Sequence, residues 1–321
     1  MTCAFFVVTD KCHLSCDFCF YKVGLNFDKS HRIRPAEMAS VIPHLKAAGI
    51  EEVILTGGDP MLRKDLSDII ALFAEAHFEV GILTAGDLLD RSRLVELRLA
   101  GLALLCLPVD GPFSRPDLQR PGQLGHARSC EIARLVGLHT SVSIVITTNN
   151  HRFVGEIYDD VRTVIRPDNI VFSPVSIGPE AWENQDLSLQ TLSPRQKQAL
   201  VNDLRHWAEA YDYRAYLDII RASLFDPDLD YWPHCTMKNN LVIESDGRVH
   251  TCFSKRTPVV GSLDDPDLAG TVRAFRRTFR CECSTDQCVT QFQKKDAAYR
   301  QVAEPRIASI PGAVVTPVGA G

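Results

Sequence analysis

The chain has no run of basic residues, no apolar stretch approaching the length of a membrane span, no basic start followed by a cleavage site, and no internal repeat. Each absence removes a class of function. With a net charge of −5 and no basic cluster, an electrostatic footprint for nucleic acid is missing. Without a long apolar run, a membrane-spanning helix is not expected. The apolar run from Met1 to Thr9 lacks the flanks of a signal peptide and reads as a strand. Eleven cysteines in a chain without an export signal point to metal rather than to disulfides, and the expected compartment is the cytoplasm.

What is present is an ordinary globular composition. The 321 residues are 45% hydrophobic and 23% charged, enough for one large α/β domain and a smaller appendage. Ala4 to Val8 is strand-like, and Pro35 to Ala48 is helical, with Pro35 suited to a first helical position and Gly49 to the end. Strand-like runs follow at residues 52–56, 79–84, 102–109, 139–147 and 169–175. Helical runs alternate with them at 64–76, 91–99, 125–136 and 151–164. Strand and helix alternating about six times argue for a parallel sheet with right-handed crossovers. Ser193-Pro194 caps a helix over 195–211. Residues 174–192 read as a linker or substrate-facing loop, and the tail after Val302 as extended. The expected division is 1–181, 182–302 and a tail over 303–321.

The organising stretch is Cys12-His13-Leu14-Ser15-Cys16-Asp17-Phe18-Cys19, directly after the first strand. A cubane 4Fe–4S cluster normally takes four thiolates, so three close together leave one iron without a protein ligand. Zinc is the bland alternative, but it wants a closed four-ligand shell, and only His13 stands nearby. A second set comprises Cys235, Cys252, Cys281, Cys283 and Cys288. Asp246-Gly247 between two alternating runs predicts a hairpin that returns Cys252 toward Cys235. Four thiolates there suit zinc as well as iron. Cys3, Cys106 and Cys130 have apolar neighbours and read as core.

The CxxxCxxC spacing, with aromatic Phe18 before the last cysteine, resembles the signature of the radical S-adenosylmethionine (radical SAM) superfamily. Gly57-Gly58-Asp59-Pro60, at the end of the second strand, is similar to that family's GGEP motif, with Asp59 where Glu is common. Thr84-Ala85-Gly86 is similar to its Thr-Asn-Gly. The stretch from Pro108 to Gly111, with Arg120 downstream, is similar to the Ser-x-Asp-Gly segment and Arg of the SPASM and Twitch branch, with Pro108 in place of Ser. Cys235, eleven residues, Gly247, four residues and Cys252 resemble the opening of an auxiliary-cluster domain. Five cysteines rather than seven point within that resemblance to Twitch.

The resemblance implies a partial (β/α)6 TIM-like barrel with a small C-terminal Twitch-type auxiliary cluster domain. It implies a SAM-binding 4Fe–4S cluster on Cys12, Cys16 and Cys19, and SAM contacts from Phe18, Gly57, Gly58, Asp59, Pro60, Thr84, Pro108, Asp110, Arg120 and Ser143. Within it the Arg120 guanidinium pairs with the SAM carboxylate. One auxiliary 4Fe–4S cluster would take Cys235 and Cys252, completed from Cys281, Cys283 and Cys288. The implied activity is reductive cleavage of SAM to a 5′-deoxyadenosyl radical that abstracts hydrogen. An electron donor such as flavodoxin or ferredoxin is the expected partner.

The first motif begins at Cys12, leaving no room for a preceding leader-binding domain, so a small molecule is the expected substrate: a sugar, aminocyclitol or nucleoside-like compound, as in antibiotic biosynthesis. Sulfur insertion, decarboxylation and peptide crosslinking remain open, as does a non-enzymatic zinc-stabilised binding protein. Arg152, Ser173, Ser176, Glu180 and Asn184 are the polar candidates for the substrate mouth, and no general base is assigned.

Overall fold

The computed structural model describes residues 2–19, 33–175, 186–226, 239–252 and 258–278. Six strands alternate with helices: β1 Cys3–Thr9, α1 Pro35–Ala47, β2 Glu52–Gly57, α2 Leu66–Glu75, β3 Glu79–Leu83, α3 Arg91–Leu99, β4 Leu102–Pro108, α4 His126–Leu135, β5 His139–Ile146, α5 Val154–Asp160 and β6 Asn169–Pro174. These pair in parallel, β1 to β2 and onward to β6. The expected βα alternation is therefore present within a residue or two at most boundaries.

The repeat has a local cause at each helix end. After α1 the Gly49 N–H donates to Lys46 O at 3.0 Å and the Ile50 N–H to Leu45 O at 3.0 Å, with Gly49 at φ +74°. This left-handed cap turns the chain straight into β2.

Side-chain parity then decides the two faces of the sheet. Ala4, Phe6 and Val8, Val53 and Leu55, Val80 and Ile82, Leu105 and Leu107, and Val142 and Ile144 pack in one buried cluster with Met38, Ile69, Phe73, Leu94 and Ile157 of the helices. The alternate positions face the other way, toward the inside of the curved sheet. Cys130 lies in the helix-side core as expected. Cys3 is buried, but it alternates with Ala4 and so takes the inner face. Cys106 departs from the expectation: it is half-buried on the inner face, because Leu105 and Leu107 occupy the helix side. Packing pushes its thiol up to about 11, against the pull of Ser143 and Ser141 beside it.

Two features lay beyond the sequence reading. The expected helix is α6, Pro194–Ala210, with the Ser193–Gln196 capping box, but a second helix, α7 Arg214–Phe225, packs against it. This pair covers β6: Trp207 donates from Nε1 to Ile170 O at 2.7 Å, stacks on Tyr213 at 5.1 Å and meets Phe172 edge-on at 5.2 Å.

The predicted hairpin forms as β7 Leu241–Ile243 and β8 Arg248–His250, followed by β9 Gly261–Ser262 and α8 Leu268–Thr278. β7 pairs in parallel with β1, so the hairpin continues the barrel sheet. The strand order is β6-β5-β4-β3-β2-β1-β7-β8-β9, an open, partial barrel among the described residues. The expected boundary at 181/182 and the tail 303–321 lie outside the described residues.

Candidate active site

The cysteine loop leaves the carboxyl end of β1, where ligands of parallel sheets bind. Cys12, Cys16 and Cys19 are all half-buried there. Leu14 N–H donates to Cys12 Sγ at 3.4 Å, and Cys19 N–H to Cys16 O at 3.2 Å, so a tight turn spaces the last two sulfurs.

The Gly57-Gly58 turn is laid directly on this loop. Gly58 N–H donates to Thr9 O and Asp59 N–H to Lys11 O, each at 2.8 Å. A Cβ on Gly58 would sit 2.0 Å from Lys11 O, and one on Gly57 2.3 Å from Thr9 O. The close approach these glycines make is to the backbone of Thr9 and Lys11 in the cysteine loop.

Asp59 is fully buried and accepts from Met61 N at 2.9 Å, Thr84 Oγ1 at 2.8 Å and Ala85 N at 3.2 Å. Pro60 opens a short 3₁₀ turn over Pro60–Leu62 that Asp59 caps. Thr84 in turn accepts from Gly86 N at 3.3 Å. Asp59 and Thr84 therefore tie the β2 and β3 loops together, and their side-chain bonds are internal.

Arg120 and Asp110 form a fork at the far wall: Nε to Oδ2 and Nη2 to Oδ1, both 2.7 Å, with only 11% and 12% of the two side chains exposed. The guanidinium lies 5.7 Å from the Phe18 ring centroid, which brings the cysteine loop and the β4 loop into one wall. Two residues missed by sequence reasoning hold this wall. Gln123 accepts from Asp110 N at 2.9 Å and donates to Gly111 O at 2.6 Å, while Asn150 donates to Asp110 O at 2.9 Å and to Val145 O at 2.8 Å. A third, His126, is fully buried and hydrogen-bonds Pro108 O from Nε2 at 3.0 Å. Desolvation lowers its imidazole to about 4, so it stays neutral near pH 7. Polar residues in loops carry no pattern that separates such a brace from a solvated side chain. Ser143 is half-buried on β5, in register with Pro108, and its carbonyl accepts from Val109 N at 2.9 Å.

The electrostatics test whether three thiolates belong here. Burial pushes the Cys12 and Cys16 thiols up, the Leu14 amide pulls Cys12 back, and Arg120 pulls Cys16 back. The neighbouring Cys19 raises both, and Cys12 raises Cys16, so the three are neighbours that repel once ionised. Cationic iron bound among them removes that penalty, and the donor set fits a thiolate-held cluster.

His13, the fourth zinc ligand weighed from the sequence, has its Nε2 bonded to Asp87 Oδ2 at 2.6 Å, an arrangement that leaves Nδ1 open and orients the imidazole. His13, Asp59 and Asp87 do place ligand atoms within 4.8 Å of one another, but Asp59 already accepts three internal bonds. Beside Cys16 opens a cleft of about 370 Å³, lined among others by Phe18, Asp110, Arg120, Thr147 and Asn150. That volume is at the small-ligand end of binding pockets.

Of the proposed substrate residues, Arg152 is exposed and Ser173 is buried, and neither lines this cleft. Ser176, Glu180 and Asn184 lie outside the described residues.

Cys252 is buried two residues past β8. Because β8 runs antiparallel to β7, with His250 opposite Val242, the chain there returns toward the start of β1. Cys252 and the Cys12 loop therefore sit at opposite ends of the sheet, separated by roughly the 20 Å length of a seven-residue strand. Cys235, Cys281, Cys283 and Cys288 lie outside the described residues.

Residues 6–161 match the family described as the Radical SAM superfamily. A GTP 3′,8-cyclase of Limosilactobacillus fermentum is 26% identical over 260 residues, covering 77% of each chain. Among solved structures, Streptococcus suis SuiB bound to precursor peptide SuiA superposes with a TM-score of 0.62 at 16% identity, over 85% of this chain and 66% of that one. Native anSMEcpe with bound AdoMet gives a TM-score of 0.61 at 19% identity, over 84% and 80%. At these identities the two structures speak for the fold. Among the described residues no helix is long and apolar enough to cross a membrane.

Proposed function

We propose, from the premise that residues 6–161 are a radical SAM domain and the chain an enzyme of that kind, that it acts on a small molecule. Cys12, Cys16 and Cys19 would hold a 4Fe–4S cluster, and SAM would occupy the adjoining cleft. With both bound, they supply one-electron cleavage of the sulfonium and a carbon radical that removes a hydrogen atom from the substrate.

The protein's own part is positional. The Gly57-Gly58 turn fixes the cysteine loop, and the Asp110–Arg120 fork sets a cation beside Cys16 and Phe18. Arg120 keeps a fixed orientation for an anionic group of SAM. The further SAM contacts we propose are Phe18, the Gly57 to Pro60 turn, Thr84, Pro108 and Ser143.

The observation that carries the reading is the 370 Å³ cleft opening directly at Cys16 between Phe18 and Arg120. A sugar, aminocyclitol or nucleoside-like compound is the proposed substrate. An auxiliary 4Fe–4S cluster would be held by Cys235, Cys252 and residues among Cys281, Cys283 and Cys288, and would supply one-electron redox chemistry for a net oxidation of the substrate. A flavodoxin or ferredoxin is the proposed donor. The precursor peptide in the SuiB structure motivates a second reading, a peptide substrate.

The test is anaerobic reconstitution followed by metal and product analysis. Brown protein with about eight irons per chain and dithionite-dependent release of 5′-deoxyadenosine supports the proposal. Colourless protein with stoichiometric zinc overturns it. Loss of two hydrogens from a small molecule, as against turnover of a peptide alone, decides between the two substrates.

A further inference from the structure

We propose that Arg63 is a positioning residue that closes the base of the cysteine loop, and that the geometry of Cys12, Cys16 and Cys19 depends on it. Val8 lies one residue from the end of β1 and Ile33 two residues before α1, with 24 residues between them. Both ends converge on one atom: Arg63 Nη1 donates to Val8 O at 2.6 Å and to Ile33 O at 2.8 Å.

The rest of the guanidinium is held in plane by Asp65, Nε to Oδ1 at 2.9 Å and Nη2 to Oδ2 at 2.7 Å. The Arg63 side chain is only 2% exposed. A separate observation explains why Val8 O is available: the β1–β2 register shifts between Val7 and Thr9, taking Val8 out of the ladder. The irregularity turns a backbone carbonyl toward a side chain, a common use of a bulge.

The physical consequence is a loop pinned at both ends to a rigid, planar group. Loop freedom falls when its ends are fixed, and metal–sulfur distances tolerate only tenths of an ångström. Lysine offers charge without the fork, so it can serve the carbonyls but not both carbonyls and Asp65 together. Nothing in the pattern Met61-Leu62-Arg63-Lys64 distinguishes Arg63 from its exposed neighbour Lys64, and only the fold buries one of the two. The inference rests on Cys12, Cys16 and Cys19 being metal ligands.

The experiment compares full-length Arg63→Lys and Arg63→Met with Ile69→Val, a core variant on α2 that serves as a control for general destabilisation. In metal-free protein, hydrogen exchange is followed at residues 9–19 and in β3 to β5. After reconstitution, iron lost to a chelator is counted against a Cys12→Ala/Cys16→Ala/Cys19→Ala baseline. We expect loop amides to exchange about tenfold faster in both Arg63 variants, sheet amides to match the control, and first-site iron to leave about tenfold faster, lysine less affected than methionine.

Equal loop exchange and iron loss in the Arg63 variants and the control would overturn the proposal. If Arg63→Met does not fold, Arg63→Lys alone decides. If wild type and the triple-cysteine baseline hold the same iron, the metal reading fails, while loop exchange still judges the clamp.

Discussion

Gly58→Ala is the sharpest probe of how the site is built. Its Cβ would lie 2.0 Å from the carbonyl oxygen of Lys11, and real contacts do not fall under 3.0 Å, so Lys11 O must move by about 1 Å (3.0 minus 2.0). The obstacle is backbone on both sides, with no flexible side chain to swing away. Moving it stretches Gly58 N···Thr9 O and Asp59 N···Lys11 O, now 2.8 Å each. Two backbone hydrogen bonds at about 1 kcal/mol each, plus overpacking of roughly 1–2 kcal/mol, give a loss of about 3–4 kcal/mol.

Lys11 adjoins Cys12, so the displacement reaches the first sulfur. A shift near 1 Å is well beyond the roughly 0.2 Å latitude of metal–ligand distances. The assay is urea unfolding of metal-free protein, paired with iron content and visible absorbance after anaerobic reconstitution. Gly125→Ala is the control, since its Cβ would meet nothing within 4 Å. If Gly58→Ala unfolds at the wild-type midpoint and takes up the wild-type amount of first-site iron, the stacked-loop account of this turn is wrong.

Other expectations follow from the same geometry. Cys16→Ala abolishes 5′-deoxyadenosine release in a dithionite assay while the far-ultraviolet circular dichroism stays unchanged. Arg120→Lys keeps a cation beside Asp110 and Phe18 but loses the bidentate fork; the SAM concentration for half-maximal cleavage rises about tenfold, consistent with one charge-assisted hydrogen bond. For His126 the folded pKa near 4 lies below the ordinary 6.5, so the unfolded chain binds more protons between those values and stability rises with pH across that window. His126→Gln flattens this rise, removing a difference on the order of 3 kcal/mol between pH 4 and pH 7, as read by urea titration at each pH.

Much of this protein is legible in one dimension because its determinants are local. Period-two and period-3.6 patterns placed the βα units, Ser193-Pro194 marked the start of α6, and Asp246-Gly247 turned the hairpin. The spacing of Cys12, Cys16 and Cys19 pointed to a metal site because neighbouring residues on one loop stay close in any fold. Side-chain parity was less legible: Cys106 reads as core by its apolar neighbours, yet the strand turns it inward.

The residues that hold the site rigid were not legible at all. Arg63, His126, Gln123 and Asn150 each act through at least one partner 12 to 55 positions away. A short sequence window contains only one end of each bond. The destination of the second cysteine set was likewise a matter of topology. β7 pairs with β1 on one side and with β8 on the other, and β8 then carries Cys252 to the far end of the sheet.

The sequence by itself determined the six βα units, their order and the thiol triad, because hydrogen bonds and side-chain periodicity within a few residues specify them. Tertiary structure alone decided which loops touch, which arginine is buried and which end of the sheet each cysteine occupies. Those outcomes depend on packing between segments far apart in the chain, where the close fit of Gly58 against Lys11 and the burial of Arg63 are settled only once the sheet has formed.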